Sequence, residues 1–101
     1  MYARTTTIEG QADRIDEVVR EIESGVLPVL KQQDGFKGFT VHVNRSSGKV
    51  VGTSYWESQQ AMEASEEAVS GPRDEAVRSA GASGGSTVDH FEVAIDTMAQ
   101  S

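Results

Sequence analysis

Three features of this 101-residue chain predict an α+β fold. The β-branched and aromatic runs "FKGFTVHV" and "KVVGTSYW" flank the turn "NRSSGK" and read as a β-hairpin over residues 36 to 56. Ahead of the hairpin, Ile15, Val18, Val19, Ile22, Val26 and Leu30 recur at steps of three and four, the spacing of a helix with one buried stripe. A strand-like run stands at each end, "YARTTTI" and "TVDHFEVAI". With a second helical stretch after the hairpin the order becomes β-α-β-β-α-β. That is the ferredoxin-like arrangement, a four-stranded antiparallel sheet with both helices on one face.

The first strand, residues 2 to 8, ends at Gly10. The long helix begins near Gln11, and a kink or break is expected at Gly25 and Pro28, because proline removes a backbone donor and its ring presses on the preceding turn. "QQDGF" is a stop, with Gly35 suited to a left-handed cap. After Trp56, Ser58 is placed to cap a helix running through Val69 with a small face at Ala61, Ala64, Ser65 and Ala68. Gly71 and Pro72 are expected to close that helix and open another that ends at Gly81. "GASGGS" is a connector, and the last strand alternates Val88, His90, Glu92 and Ala94 against Asp89, Phe91, Val93 and Ile95.

Composition bounds the function. The length fits a single domain spanning residues 1–101, of a size that often completes its burial by pairing with a second copy. Sixteen acidic residues against nine basic ones give a formal charge of -7, which repels a phosphate backbone, so no nucleic-acid partner is expected. The chain has no cysteine and hence no disulfide, thiolate metal site or cysteine nucleophile. No window approaches a membrane span and "MYARTTTIEG" does not read as a leader, so a cytoplasmic protein without membrane contact is expected. The segments "VVGTSYW" and "ARTTTI" put small, neutral or aromatic residues on both strand faces, so the face away from the helices needs a cover. A homodimer supplies one.

The proline in the first long helix, the hairpin "DGFKGFTVHVNRSSGKVVGTSYWES" and the helix start "QQAMEAS" together resemble the antibiotic-biosynthesis-monooxygenase-like group of dimeric α/β-barrel proteins, over residues 2 to about 96. The resemblance implies two sheets packed face to face across a dimer, and a ligand pocket between the sheet and helices of each subunit. The group includes cofactor-free oxygenases of polycyclic aromatic compounds and haem-degrading enzymes. The haem-degrading branch carries an asparagine in the first strand, a tryptophan in the second helix and a histidine beyond it. An ungapped match puts Ala3, Ala64 and Asp74 at those positions, so haem degradation by that route is not expected.

The candidate chemistry is sparse. His42 and His90 are strand-borne and are the natural proton acceptors near neutral pH. Their strands are opposite edges of the predicted sheet, roughly 14 Å apart, which excludes a metal site using both within one subunit. No metal and no cofactor is expected. Trp56 either caps the core or forms a wall on which a planar ligand stacks, and alternation puts Tyr55 on the opposite face. Arg4, among threonines, needs a partner, for which Glu92 or Asp96 of the last strand are candidates. Arg73 and Asp74 read as a solvated first turn. The resulting expectation is a cofactor-independent monooxygenase of a small aromatic or polycyclic substrate. His42 or His90 is its base, Trp56 and Tyr55 are its walls, and Asn44 or Arg4 steady a developing oxyanion. The alternative is a non-catalytic, small-ligand-binding or stress-associated dimer.

Overall fold

Strand β1 (Tyr2–Glu9) lies inside the sheet between β3 (Lys49–Trp56) and β4 (Ser86–Glu92), and β2 (Phe36–Asn44) pairs with the outer side of β3. The order β2-β3-β1-β4 and the antiparallel pairing at every step are those of the ferredoxin-like α+β fold. The computed structural model describes residues 1–98. His42 and His90 lie on opposite edge strands, as the predicted order requires.

Register fixes which side chains share a face. Arg4 stands opposite Ser54 and His90, and Tyr2 stands opposite Trp56 and Glu92. Since directly paired residues point the same way, the helix-facing side carries Arg4, Thr6 and Ile8 of β1 with Val50, Gly52, Ser54 and Trp56 of β3. The outer side carries Ala3, Thr5, Thr53, Tyr55, His42 and Phe91. On the helix-facing side Val50 and Trp56 are fully buried together with Ile15, Val18, Leu30 and Met62, and this layer is the core.

The first helical stretch departs from a straight helix where Gly25 and Pro28 predicted trouble. A 3-10 turn (Ala12–Arg14) leads into α1 (Ile15–Glu21), a π-helical turn (Ile22–Val26) follows, and α2 (Leu27–Lys31) completes the path. The chain does not break. It widens, with Leu27 N–H bonding to the carbonyl of Ile22, and Pro28 then falls in the first turn of α2, where its missing donor is tolerated. Ile22, Val26 and Leu30 thereby stay on the buried side.

The second helical stretch corrects the expected boundary. Ser58 caps α3 (Gln59–Ala64) by accepting the Ala61 N–H at 3.1 Å, as predicted, but that helix ends at Ala64, Ser65 joins it to α4 (Glu66–Ser79), and Pro72 lies within α4. Ser65 Oγ donates back to the Met62 carbonyl at 2.7 Å, a contact that bends helices. Pro72 is accommodated at the exposed turn of α4, where the carbonyl it leaves unpaired belongs to the exposed Ala68. The buried stripe is Met62, Ser65, Val69, Arg73, Ala76 and Val77. Of the predicted small face Ala64 and Ala68 are exposed.

The outer sheet face is lined by threonines and aromatics. The Thr5 and Thr53 hydroxyls lie 3.4 Å apart, Thr40 Oγ1 is buried without a partner, and Phe91 is 53% exposed. The segment after β4 forms one wall of an open groove of about 430 Å³ on this face, with Tyr55, Thr53 and Phe91 on its other sides. Among the described residues no helix is long and apolar enough to cross a membrane.

Candidate functional site

Between the sheet and the helices lies a cavity of about 40 Å³, room for a few water molecules. Its walls are apolar: Ile8 and Val50 from the sheet, Ile22 and Val26 from the π-helical turn, Leu30 from α2, and Val69 from α4. Phe39 of β2 leans over Gly52, where an added Cβ would meet the ring at 3.3 Å, so a glycine is what leaves that aromatic its place.

The polar end of the cavity is built by Arg4, Arg73, Ser54 and Thr6. Arg4 projects from β1 toward the junction of α3 and α4 and is only 2% exposed. Its Nη1 donates to the Met62 carbonyl at 3.1 Å, to Ser65 Oγ at 3.0 Å and to Glu66 Oε2 at 3.0 Å. Its Nη2 is buried with no hydrogen-bond partner among the described residues, and a buried guanidinium nitrogen left unpaired is costly. Glu66 also holds Arg73 in a two-pronged pair, Nη1 to Oε1 at 2.6 Å and Nη2 to Oε2 at 2.9 Å. The Arg73 hydrogen bonds hold the Glu66 carboxyl below its ordinary range in spite of burial, with Arg4 and, more weakly, His90 pulling the same way. Burial pulls the Arg4 guanidinium below its ordinary range, against the attraction of Glu66.

Arg4 therefore pairs with α4 in place of the expected Glu92 or Asp96: its guanidinium reaches the junction of α3 and α4 at Ser65 and Glu66, whereas Glu92, on the same face, stands opposite Tyr2. Arg73 is not in a solvated turn. It occupies the buried stripe of α4, seven residues after Glu66, and the helical spacing Met62, Ser65, Val69, Arg73, Ala76 is the signal that could have found it.

Trp56 faces the helices and is fully buried, stacked edge-on against Phe36 at 5.6 Å between centroids, with Nε1 donating to Ser54 Oγ at 2.8 Å. The Arg4 guanidinium carbon sits 5.3 Å from the centre of its ring. Trp56 is thus a core side chain bracing Arg4 and Ser54, which do line the cavity. Tyr55 points the other way, into the outer groove. His42 is exposed on the outer face, and Asn44 is exposed with Oδ1 accepting from Ser46 N–H, Ser46 Oγ and Ser47 N–H in the hairpin turn. His90 is exposed on the helix-facing side of edge strand β4, in register with Arg4. The predicted residues therefore divide between two faces, with Arg4, Trp56 and His90 on the cavity side. Among the described residues no group of three His, Cys, Asp or Glu side chains is placed to hold a metal ion.

The family model for antibiotic biosynthesis monooxygenase matches residues 1–80. The chain belongs to that family. An uncharacterized protein of Mycobacterium tuberculosis is 38% identical over 94 residues, 93% of this chain and 41% of that protein, so the chain spans about two-fifths of the length of the curated relatives it matches. The family fold recurs in a monooxygenase from the gene ActVA-Orf6 of Streptomyces coelicolor, solved with nanaomycin D. That structure is 22% identical with a TM-score of 0.78, covering 97% of this chain and 91% of that one. The haem degrader MhuD of Mycobacterium tuberculosis, solved with two haems in its active site, shares the fold at 20% identity and a TM-score of 0.70, over 97% of this chain and all of that one, 100%.

Proposed function

We propose that this family member is a cofactor-independent monooxygenase of a small phenolic or anthrone-type substrate, bound in the cavity between sheet and helices with its ionised oxygen against Arg4. The observation that carries this reading is that Arg4, whose buried Nη2 has no hydrogen-bond partner among the described residues, lines a largely apolar cavity. A ligand oxyanion would satisfy that nitrogen, and two guanidinium groups sharing one carboxylate leave a net positive charge to attract it. Entry of an aromatic ring requires the walls to part, and the half-buried Phe39 on an edge strand and the irregular π-helical turn are the parts best able to move.

The chemistry needs no bound electron carrier. Removal of a ring-carbon or phenolic proton leaves an electron-rich anion that itself reduces dioxygen. A carbon–oxygen bond forms, the resulting hydroperoxide loses water, and one oxygen atom stays on carbon as a carbonyl while the other leaves as water with the two hydrogens the substrate gave up, both from the carbon of an anthrone-type methylene or one from carbon and one from the phenolic oxygen. Of the two histidines, the base in this reading is His90, which shares the face of Arg4 and lies close enough to Glu66 to act on its charge. Assay with ¹⁸O₂ tests the reaction: one labelled atom should appear in the product carbonyl, and product without label would contradict it.

One observation favours the non-catalytic alternative, a dimer that holds a metabolite unchanged: the cavity lining itself contains neither a histidine nor a carboxylate. In either reading the outer face, with Phe91 exposed and Tyr55 and the Thr5–Thr53 pair beside it, is the surface that a second copy would cover.

A further inference from the structure

Glu66 has no role in the oxygen chemistry itself and does not line the cavity, yet its carboxylate is bonded to both of the arginines that do. Its two oxygens meet Arg73 at 2.6 and 2.9 Å and Arg4 at 3.0 Å. The arginines lie inside, with side chains 2% and 10% exposed, and the carboxylate lies at the rim, 40% exposed. Among the described residues two cations are bonded to it, Arg4 from β1 and Arg73 from its own helix α4, and His90 of β4 adds a weaker electrostatic pull. Two inner cations and one outer anion sum to a single net positive charge beside the free Nη2 of Arg4.

We propose that Glu66 is a positioning and specificity-determining residue that sets the cavity's polar end at one net positive charge, so that the site selects a singly ionised ligand oxygen over a neutral hydroxyl or a dianion. This rests on the cavity being the ligand site. Glu66 fixes the direction of both guanidinium groups, because each makes a short charge-assisted bond to it. It also offsets one of their two charges, and a second uncompensated cation would favour dianions such as phosphate esters or dicarboxylates.

The test uses 4-nitrophenol, whose phenolate absorbs in the visible, titrated across pH against the whole chain. Bound to the wild type, the probe should ionise at lower pH than when free. Glu66→Gln should raise the preference for phenolate over phenol by about tenfold or more, the scale of one charge removed at salt-bridge distance, and Arg73→Gln should lower it by a similar factor. The double variant Glu66→Gln/Arg73→Gln restores the charge count and should return to within about threefold of wild type. It decides the matter if circular dichroism shows that Glu66→Gln alone does not fold. A Glu66→Gln chain that binds both probe forms more weakly but leaves the ionisation of the bound probe unchanged would overturn the proposal, as would a double variant that stays displaced. A shift in Arg73→Gln without one in Glu66→Gln would sink this proposal and leave the cavity reading standing. A wild-type probe that ionises as it does in free solution would remove the cavity reading and the proposal with it.

Discussion

Arg4 of the first strand and Glu66 of the last helix are joined at 3.0 Å across the junction of sheet and helices, although 62 residues separate them in the chain. The contact ties β1 to the start of α4, and Arg73 completes a cluster in which one carboxylate serves two guanidinium groups. Its energetic weight follows from burial. A lone Arg4 cation in this position would lack the solvation that Glu66, Ser65 and the Met62 carbonyl replace.

Removing the carboxylate should therefore destabilise the fold at neutral pH. Glu66→Gln is expected to lose about 1–2 kcal/mol, less than a fully buried pair would cost because Glu66 is 40% exposed. The folded-state carboxyl is held below its ordinary range, so its contribution is fully present above the ordinary glutamate range and is lost as pH falls through the folded value. Urea titrations of wild type and Glu66→Gln should thus differ at pH 7 and converge in acid. A gap that stays constant as the pH falls would show that the ion pair is not its source.

Trp56 should behave as a structural residue. Trp56→Phe gives up the Nε1 bond to Ser54 and leaves its Oγ short of a donor, for about 1–3 kcal/mol, and Trp56→Ala should cost about 3–5 kcal/mol. The urea midpoint followed by far-ultraviolet circular dichroism reads both. A Trp56→Ala chain as stable as wild type would contradict the packing described for this ring.

Haem is expected not to bind stoichiometrically or to be degraded. Ala3 is buried on the outer sheet face, and Ala64 and Asp74 are exposed on α3 and α4. Titration should give no stoichiometric Soret shift and no open-chain product with reductant. Turnover of haem would overturn the residue matching.

Sedimentation at micromolar concentration should give about twice the mass of one chain, since pairing on the outer face would cover Phe91, Tyr55 and the threonine row. A single species of one chain's mass would remove the dimer.

The fold was legible because its signals are local and periodic. The stripe from Ile15 to Leu30, the hairpin turn before Gly48 and the Ser58 cap each specify an element within a few residues, and the sheet order followed from the element order. The helix boundary at Ser65 was not legible, because it depends on a side chain that answers Arg4 from 61 residues away. The site was only partly legible for the same reason. Alternation separated Trp56 from Tyr55 without saying which face the helices cover, and Arg73 looked like part of a solvated turn although Glu66, which also holds Arg4, pairs with it on the buried side of α4. Asn44 read as a donor because its residue type allows it, whereas it stands exposed at the hairpin turn, where its oxygen accepts from Ser46 and Ser47, outside the cavity lining.

Oxygen uptake with an anthrone-type substrate, compared among wild type, His90→Gln and His42→Gln, tests the catalytic reading most directly. The wild type should consume oxygen with such a substrate. His90→Gln should lose roughly 10²- to 10⁴-fold in that rate with ligand affinity nearly intact, the usual contribution of a general base, and His42→Gln, on the outer face, should stay within a few-fold of wild type. No uptake by the wild type with any aromatic substrate, or a rate unchanged in His90→Gln, would contradict the account.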